Sequence, residues 1–269
     1  DLESVREWGR LARARLRSPR FAYAEPEGAR ELREAIATHI APARAIDVTA
    51  DDVLIVNGAQ QALDLVARTV LDPGDRVLVE EPHYQGARQS FLAVGAQLAT
   101  APVDDAGLCL NDVAARACKL VYATPSHQFP TGAAMPFGRR LEVLQWCRSA
   151  GAWFVEDDYD SEYQHDGKRL AALRALDADR VIYVATFARA FAPSLLIGFL
   201  IAPPALREAL VAAKWLADRG SAMFEQLVLA DFISAGCYHR HLRRMSKVYG
   251  EKRARLVAAI RREFGNEAV

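Results

Sequence analysis

Residues Arg180–Phe199 read RVIYVATFARAFAPSLLIGF. The run Val181–Val184 is continuously apolar, as expected of a strand buried on both faces. Small residues and a proline follow, then a second apolar run that meets Gly198 and continues as GFLIAP. This predicts a strand, a tight loop and a further strand. The loop has the rhythm of a ligand-binding turn at a strand end, yet it is poor in polar anchors.

The same pattern extends towards the N-terminus. DVLIV (52–56), RVLVE (76–80), QLATAPV (97–103), KLVYAT (119–124) and AWFVEDD (152–158) read as strands. ARELREAIATH (29–39), QQALDLVARTVL (60–71), YQGARQSFLAV (84–94) and RRLEVLQWCRSAG (139–151) read as helices. In the first of these, Leu32, Ile36 and Ile40 recur at helical spacing. Alternating helices and continuously apolar strands predict an α/β fold, a mainly parallel central sheet with helices on both faces. Ligands in such sheets bind at the carboxyl ends of the strands. Pro203-Pro204 closes the sheet region, and a helical tract follows. Its last part, RHLRRMSKVYGEKRARLVAAIRREFG, is long, basic and amphipathic. The expected division is a helical segment over 1–20, a large domain over 21–235, and a helix over 236–269 leading into an incomplete smaller domain.

Composition narrows the function. Thirty-four basic residues balance 34 acidic ones, which gives no electrostatic case for nucleic acid or an anionic membrane. No apolar run approaches the roughly 20 residues that span a bilayer, and no signal-peptide pattern is present, so a cytoplasmic protein is expected. Cys109, Cys118, Cys147 and Cys237 form no CxxC pair, and no His cluster has metal spacing. They read as reduced packing thiols, with no metal site.

The unusual residues gather at strand ends. NGAQQA (57–62) opens a helix after a strand, where small residues let backbone N–H groups approach an anion; an ordinary tight turn is the plainer alternative. EEPHYQG (80–86) offers Tyr84, which can stack on a flat ligand or simply pack. TPSHQFPTG (124–132) is a polar, proline-rich loop with His127 and Gln128. VEDDYDSEY (155–163) clusters acids directly after a buried strand. Those acids are either a solvated loop or a carboxylate held for a cationic nitrogen.

Together these segments, with YAEPEG (23–28) and RHLRRM (240–245), resemble the aminotransferase-like domain of MocR-type regulators of the GntR family. That domain is a branch of the fold-type-I enzymes that use pyridoxal 5′-phosphate, and the resemblance covers roughly residues 21–264. The family's N-terminal winged-helix DNA-binding domain and the end of its small domain are not matched. The resemblance implies that Asp157 pairs with the protonated ring nitrogen. It further implies that Tyr159 bonds the ring's phenolic oxygen and that Tyr84 stacks on the ring. Gly58, Ala59 and Gln60 form the phosphate turn, with Thr186 in the loop beyond it. Tyr23 resembles a residue that reaches the neighbouring subunit's phosphate, which implies a homodimer with shared sites. Phe129 stands where many relatives outside this branch carry Asn.

The opening loop departs from the family. Relatives read approximately GTFSKTLAPGLRLGY there, and the Lys bonds the cofactor covalently and later moves the substrate's proton. Here that position is Arg189, whose guanidinium stays protonated and is no nucleophile. Ala188 replaces a phosphate-binding Ser, Leu196 a phosphate-clamping Arg, and Ala185 the leading Gly. Losing two charge-assisted anchors costs about 1.5–3 kcal/mol each. The five lysines are Lys119, Lys168, Lys214, Lys247 and Lys252. None is in the loop; Lys168 and Lys214, the two worth testing for rescue, read as surface residues. The expectation is a dimerising or ligand-sensing domain for an amino acid or pyridoxal-like molecule, with cofactor binding weakened or lost and little transaminase activity. A working aminotransferase with noncovalently held cofactor is the alternative. The basic tract reads as a solvated helix face or dimer contact.

Overall fold

The computed structural model describes residues 1–17, 25–110, 118–163 and 170–265. An eight-stranded sheet forms its centre: β1 (Val53–Val56), β2 (Arg76–Glu81), β3 (Gln97–Asp104), β4 (Gly107–Leu108), β5 (Cys118–Ala123), β6 (Trp153–Asp158), β7 (Val181–Thr186) and β8 (Gly198–Ile201). Their spatial order is β1-β8-β7-β6-β5-β2-β3-β4. Strands β3, β2, β5, β6 and β7 run parallel; β8 is antiparallel to both β7 and β1, and β4 is antiparallel to β3. The mainly parallel sheet agrees with the sequence pattern. Only the two-residue β4 had no strand signal.

Ten helices accompany the sheet in the described residues: α1 (Leu2–Leu16), α2 (Arg30–Arg44), α3 (Gly58–Val70), α4 (Gln85–Ala93), α5 (Phe137–Ala150), α6 (Leu173–Leu176), α7 (Phe187–Ala190), α8 (Pro204–Asp218), α9 (Met223–Ser234) and α10 (Cys237–Phe264). Successive strand residues face opposite sides, and the core divides accordingly. Leu54, Val56, Val79, Tyr122, Val155 and Val184 pack with α3, α4 and α8. On the other face, Ile55, Tyr183 and Phe199 pack with α1, α2, α9 and α10. Leu78, Val121, Phe154 and Val181 pack on that face with α5 and α6.

The acids of β6 follow the same parity. They belong to the strand itself, in agreement with the reading of 152–158 as a strand. Glu156 and Asp158 turn to the α2 and α5 face. Arg44 Nε lies 2.9 Å from Asp158, and Arg140 Nη1 lies 3.6 Å from Glu156. Backbone N–H groups of Leu173 and Arg174 also donate to Glu156, each at 3.0 Å. Asp157 alone points to the opposite face.

The basic tract is α10, and its first turns are tied to α1 rather than free. Arg240 donates to Glu7 at 2.7 Å and Arg244 to Asp1 at 2.8 Å. The residues of α10 that are buried, Cys237, Tyr238, His241 and Leu242, all lie near its start. No helix of the described residues is long and apolar enough to cross a membrane. Three of the four free cysteines are buried, and no group of three metal-ligating side chains occurs among the described residues.

Candidate functional site

A cavity of about 350 Å³ opens where β1, β2, β5, β6 and β7 end. Gly58, Ala59, Gln60, Tyr84, Asp157, Tyr159, Thr186 and Arg189 all line it. Residues far apart in the chain are thus brought together by the parallel strands, which all finish at the same sheet edge. Tyr23 and Lys168 lie outside the described residues.

Asp157 forms the floor. It is 4% exposed, and its Oδ2 accepts the Tyr122 hydroxyl at 2.7 Å. Its Oδ1 is buried with no hydrogen-bond partner among the described residues. Burial pushes the carboxyl up to about 7; the Tyr122 hydrogen bond opposes this, and the nearby Asp158, Asp160 and Glu80 charges add to it. An unpartnered buried carboxylate is costly, so this atom is suited to a cationic N–H donor.

The start of α3 forms one wall. Gly58 has φ +76°, and a Cβ there would meet nothing within 4 Å, so the peptide is left open to the cavity. No side chain caps the helix. The Asn57 amide is drawn away instead, donating to Asp218 at 3.0 Å. The Gln60 side chain also turns aside, to Ser90 Oγ at 2.8 Å. First-turn N–H groups with the positive end of the helix dipole remain as an anion seat.

Aromatic rings form a second wall. Phe129 stands edge-on to Tyr84 and to Tyr159, with ring centres 6.0 and 6.1 Å away. Burial raises the Tyr159 phenol above its ordinary value, and the Arg189 charge counters that. The Arg189 guanidinium carbon lies 6.0 Å from the Tyr159 ring centre.

The loop after β7 is held by its own backbone. Thr186 Oγ1 caps α7 by accepting the Ala188 N–H at 3.1 Å. His241 Nε2 lies 2.9 Å from the Ala190 carbonyl, and Tyr163 donates to it at 2.6 Å. Ser4 Oγ in turn lies 2.9 Å from His241 Nδ1. Gly198 is required here: a Cβ would sit 2.8 Å from the Ala185 carbonyl and 3.0 Å from Gly58 Cα. Leu196 adopts a left-handed φ of +50° and lines the cavity while 61% exposed.

Three contributors escape the sequence reading. Tyr122 sits inside an apolar strand, where nothing in the sequence marks it. Thr124 lines the cavity and donates to the buried Glu80. Glu80 accepts from Thr124 Oγ1 at 2.9 Å and Gln128 Nε2 at 3.2 Å, which pins the 124–132 loop. Burial pushes Glu80 up to about 7. Its one signal is an acid directly after the apolar run Val77–Val79.

Lys214 corrects an expectation. The sequence suggests a surface residue, yet it is fully buried. Its Nζ is 2.5 Å from Asp218 Oδ2 and 2.9 Å from Ser221 Oγ. Asp218 also accepts from Gln61 at 2.9 Å. Lys214 therefore fixes the acid that braces the α3 turn, and it does not line the cavity. No lysine does among the described residues.

Comparison with known proteins agrees with this geometry. The model for aminotransferase class I and II matches residues 2–267. The probable rhizopine catabolism regulatory protein MocR of Rhizobium meliloti is 39% identical over 263 residues, covering 96% of this chain and 53% of that protein. The 2-aminoadipate transaminase of Thermus thermophilus is 34% identical over 253 residues, covering 91% and 62%. The structure of LysN, the α-aminoadipate aminotransferase of Thermus thermophilus, complexed with N-(5′-phosphopyridoxyl)-L-leucine, superposes with a TM-score of 0.88. It shares 33% identity, over 96% of this chain and 68% of that one. Pyrococcus horikoshii kynurenine aminotransferase gives 0.89 at 28% identity, over 96% and 67%. The chain thus spans about half the length of the curated regulators it matches, 53% for MocR and 51% for YdeL of Bacillus subtilis. With its fold, strand-end cavity and matched length in agreement, the chain belongs to the class I and II aminotransferase family, and the regulators it is similar to are of the MocR type.

Proposed function

We propose that this chain is the ligand-sensing, dimerising domain of a MocR-type cytoplasmic regulator. It holds a pyridoxal-phosphate-type ligand without a covalent bond and performs little or no transamination. The observation that carries this reading is Arg189 in the cavity wall with no lysine beside it among the described residues.

The residues fit two parts of the ligand and not the third. Asp157 Oδ1 supplies an acceptor for a ring N–H, and a cationic ring would draw its carboxyl back towards the charged form. The open turn of α3 suits the phosphate. Tyr84 and Phe129 suit the ring's apolar faces, and the Tyr159 hydroxyl its phenolic oxygen. When bound, pyridoxal phosphate supplies an electron-sink ring. The covalent bond needs a neutral amine, and a guanidinium is protonated throughout the physiological range. Replacing the amine also removes the acid–base group, which is worth about 100- to 10,000-fold in rate. Ala188 and Leu196 give up charge-assisted phosphate contacts, a combined loss of roughly two to four orders of magnitude in affinity.

The test is a titration with pyridoxal 5′-phosphate followed by borohydride reduction and peptide mass analysis. The expected result is saturable binding without the absorbance band of a lysine-bonded cofactor and without a reduced lysine adduct. A pyridoxyl-lysine at any position would overturn it. The second reading, a working aminotransferase, is favoured by the 34% identity to the 2-aminoadipate transaminase. It requires turnover of an amino acid by the unaltered chain. Recovery of the lysine-bonded band in an Arg189→Lys, Leu196→Arg double variant would show that the rest of the pocket is intact.

A further inference from the structure

The cavity carries charge of both signs in separate places. Asp157 is the negative floor. The start of α3 and Arg189 are the positive walls, and they stand on different sides of the end of β7. The α3 turn reaches β8, as the 3.0 Å approach of Gly58 Cα to a Cβ on Gly198 shows. Arg189 leans the other way, over Tyr159, which follows β6. Strands β8 and β6 flank β7, and two strand spacings amount to roughly 10 Å.

None of the three is satisfied by a side chain among the described residues. The α3 turn has no side-chain cap. Asp157 Oδ1 is buried and unpartnered. Arg189 forms no ion pair among the described residues; Asp160, the acid next to Tyr159, is held by His127 at 2.6 Å. No side-chain hydrogen bond or ion pair engages the Arg189 guanidinium among the described residues, so its N–H donors are free. Those donors match a carboxylate in two-point geometry. A phosphate on α3 does not meet this demand, because the two seats are on opposite sides of β7.

We propose that the cavity selects a phosphopyridoxyl ring bearing a second anionic group, a carboxylate seated on Arg189, over the same ring without one. This rests on the noncovalent reading above. It makes Arg189 a specificity residue rather than only the relic of a lost lysine. A ring joined through an amine to an amino acid has this charge pattern: cationic ring nitrogen, phosphate and carboxylate.

Calorimetric titration of the chain tests it with two probes of one linkage. N-(5′-phosphopyridoxyl)glycine carries the carboxylate, and N-ethylpyridoxamine 5′-phosphate does not. The expected ratio of dissociation constants is about tenfold or more in favour of the glycine adduct, the size of one charge-assisted contact. Arg189→Gln, checked for native circular dichroism, should bring that ratio close to one. A ratio near one in the unaltered chain overturns the proposal. So does a ratio that Arg189→Gln leaves unchanged, since the charge then serves both ligands alike. Failure of both probes to bind overturns the noncovalent reading as well. Binding of both with equal affinity overturns only the role of Arg189.

Discussion

At the scale of single residues, Asp157 is a buried carboxyl that costs the fold stability. Its carboxyl is pushed up to about 7, chiefly by burial, whereas the unfolded value is near 4. Between those values the folded chain holds a proton that the unfolded chain has released. Stability therefore falls as pH rises from about 4 to 7, by up to about 1.4 kcal/mol per unit. Asn at this position still accepts the Tyr122 hydroxyl and has no charge to desolvate. Asp157→Asn is expected to flatten this part of the profile, gaining on the wild type by a few kcal/mol from pH 4 to pH 8. It should also weaken binding of a ring whose nitrogen is protonated. Urea denaturation at pH 4, 6 and 8 measures the first effect, and parallel profiles for the two proteins would sink the argument. Lys214 shows the opposite arrangement. Its buried charge is matched by Asp218 at 2.5 Å and so braces Asn57 and Gln61.

At the scale of elements, β6 sorts three successive acids by the two-residue repeat of a strand. Asp157 goes to the cavity, while Glu156 and Asp158 go to Arg44 and Arg140 beneath the opposite face. Those arginines neutralise the acids that flank Asp157. Removing one partner of a buried pair leaves an uncompensated charge, which costs about 3–5 kcal/mol. Arg44→Met should destabilise the chain by roughly that much at pH 8. The loss should shrink at pH 5, because Glu156, whose carboxyl burial already raises, can take up a proton once Arg44 is gone. Denaturation at both values decides it, and an equal loss at each would show that packing rather than charge was removed. The strands were legible because a sheet covered on both faces needs continuous apolar runs, as in VLIV and VIYV. The strand-end site was legible because its residues follow those runs directly. Glu80 was not, because its burial depends on Thr124 and Gln128, 44 and 48 residues away in the chain. Lys214 was not, because its burial comes from packing α8 on α3, although its partners Asp218 and Ser221 are near in sequence. Tyr122 was hidden for a different reason. An aromatic residue in an apolar strand carries no sign of which face holds the cavity.

At the scale of the whole molecule, the two faces of the sheet are unequal at their margins. α8 covers α3 through Leu210, which is fully buried, yet it leaves Trp215 45% and Leu216 77% exposed. These two join Val211 and Pro26 in a groove along its outer side. Pro26 adjoins the segment that contains Tyr23, the residue proposed to reach a neighbouring subunit's site. The proposed homodimer is expected to cover this groove. The double substitution Trp215→Ser, Leu216→Asp adds a charge to that face and leaves the α3-facing side of α8 untouched. Sedimentation velocity should show the unaltered chain as a dimer and the variant as a monomer, with unchanged circular dichroism. If the sites are shared, the variant should also lose ligand affinity although none of its cavity residues has been altered. A variant that remains dimeric would place the interface elsewhere. A monomeric variant that binds its ligand as tightly as before would mean that each cavity is complete within one chain.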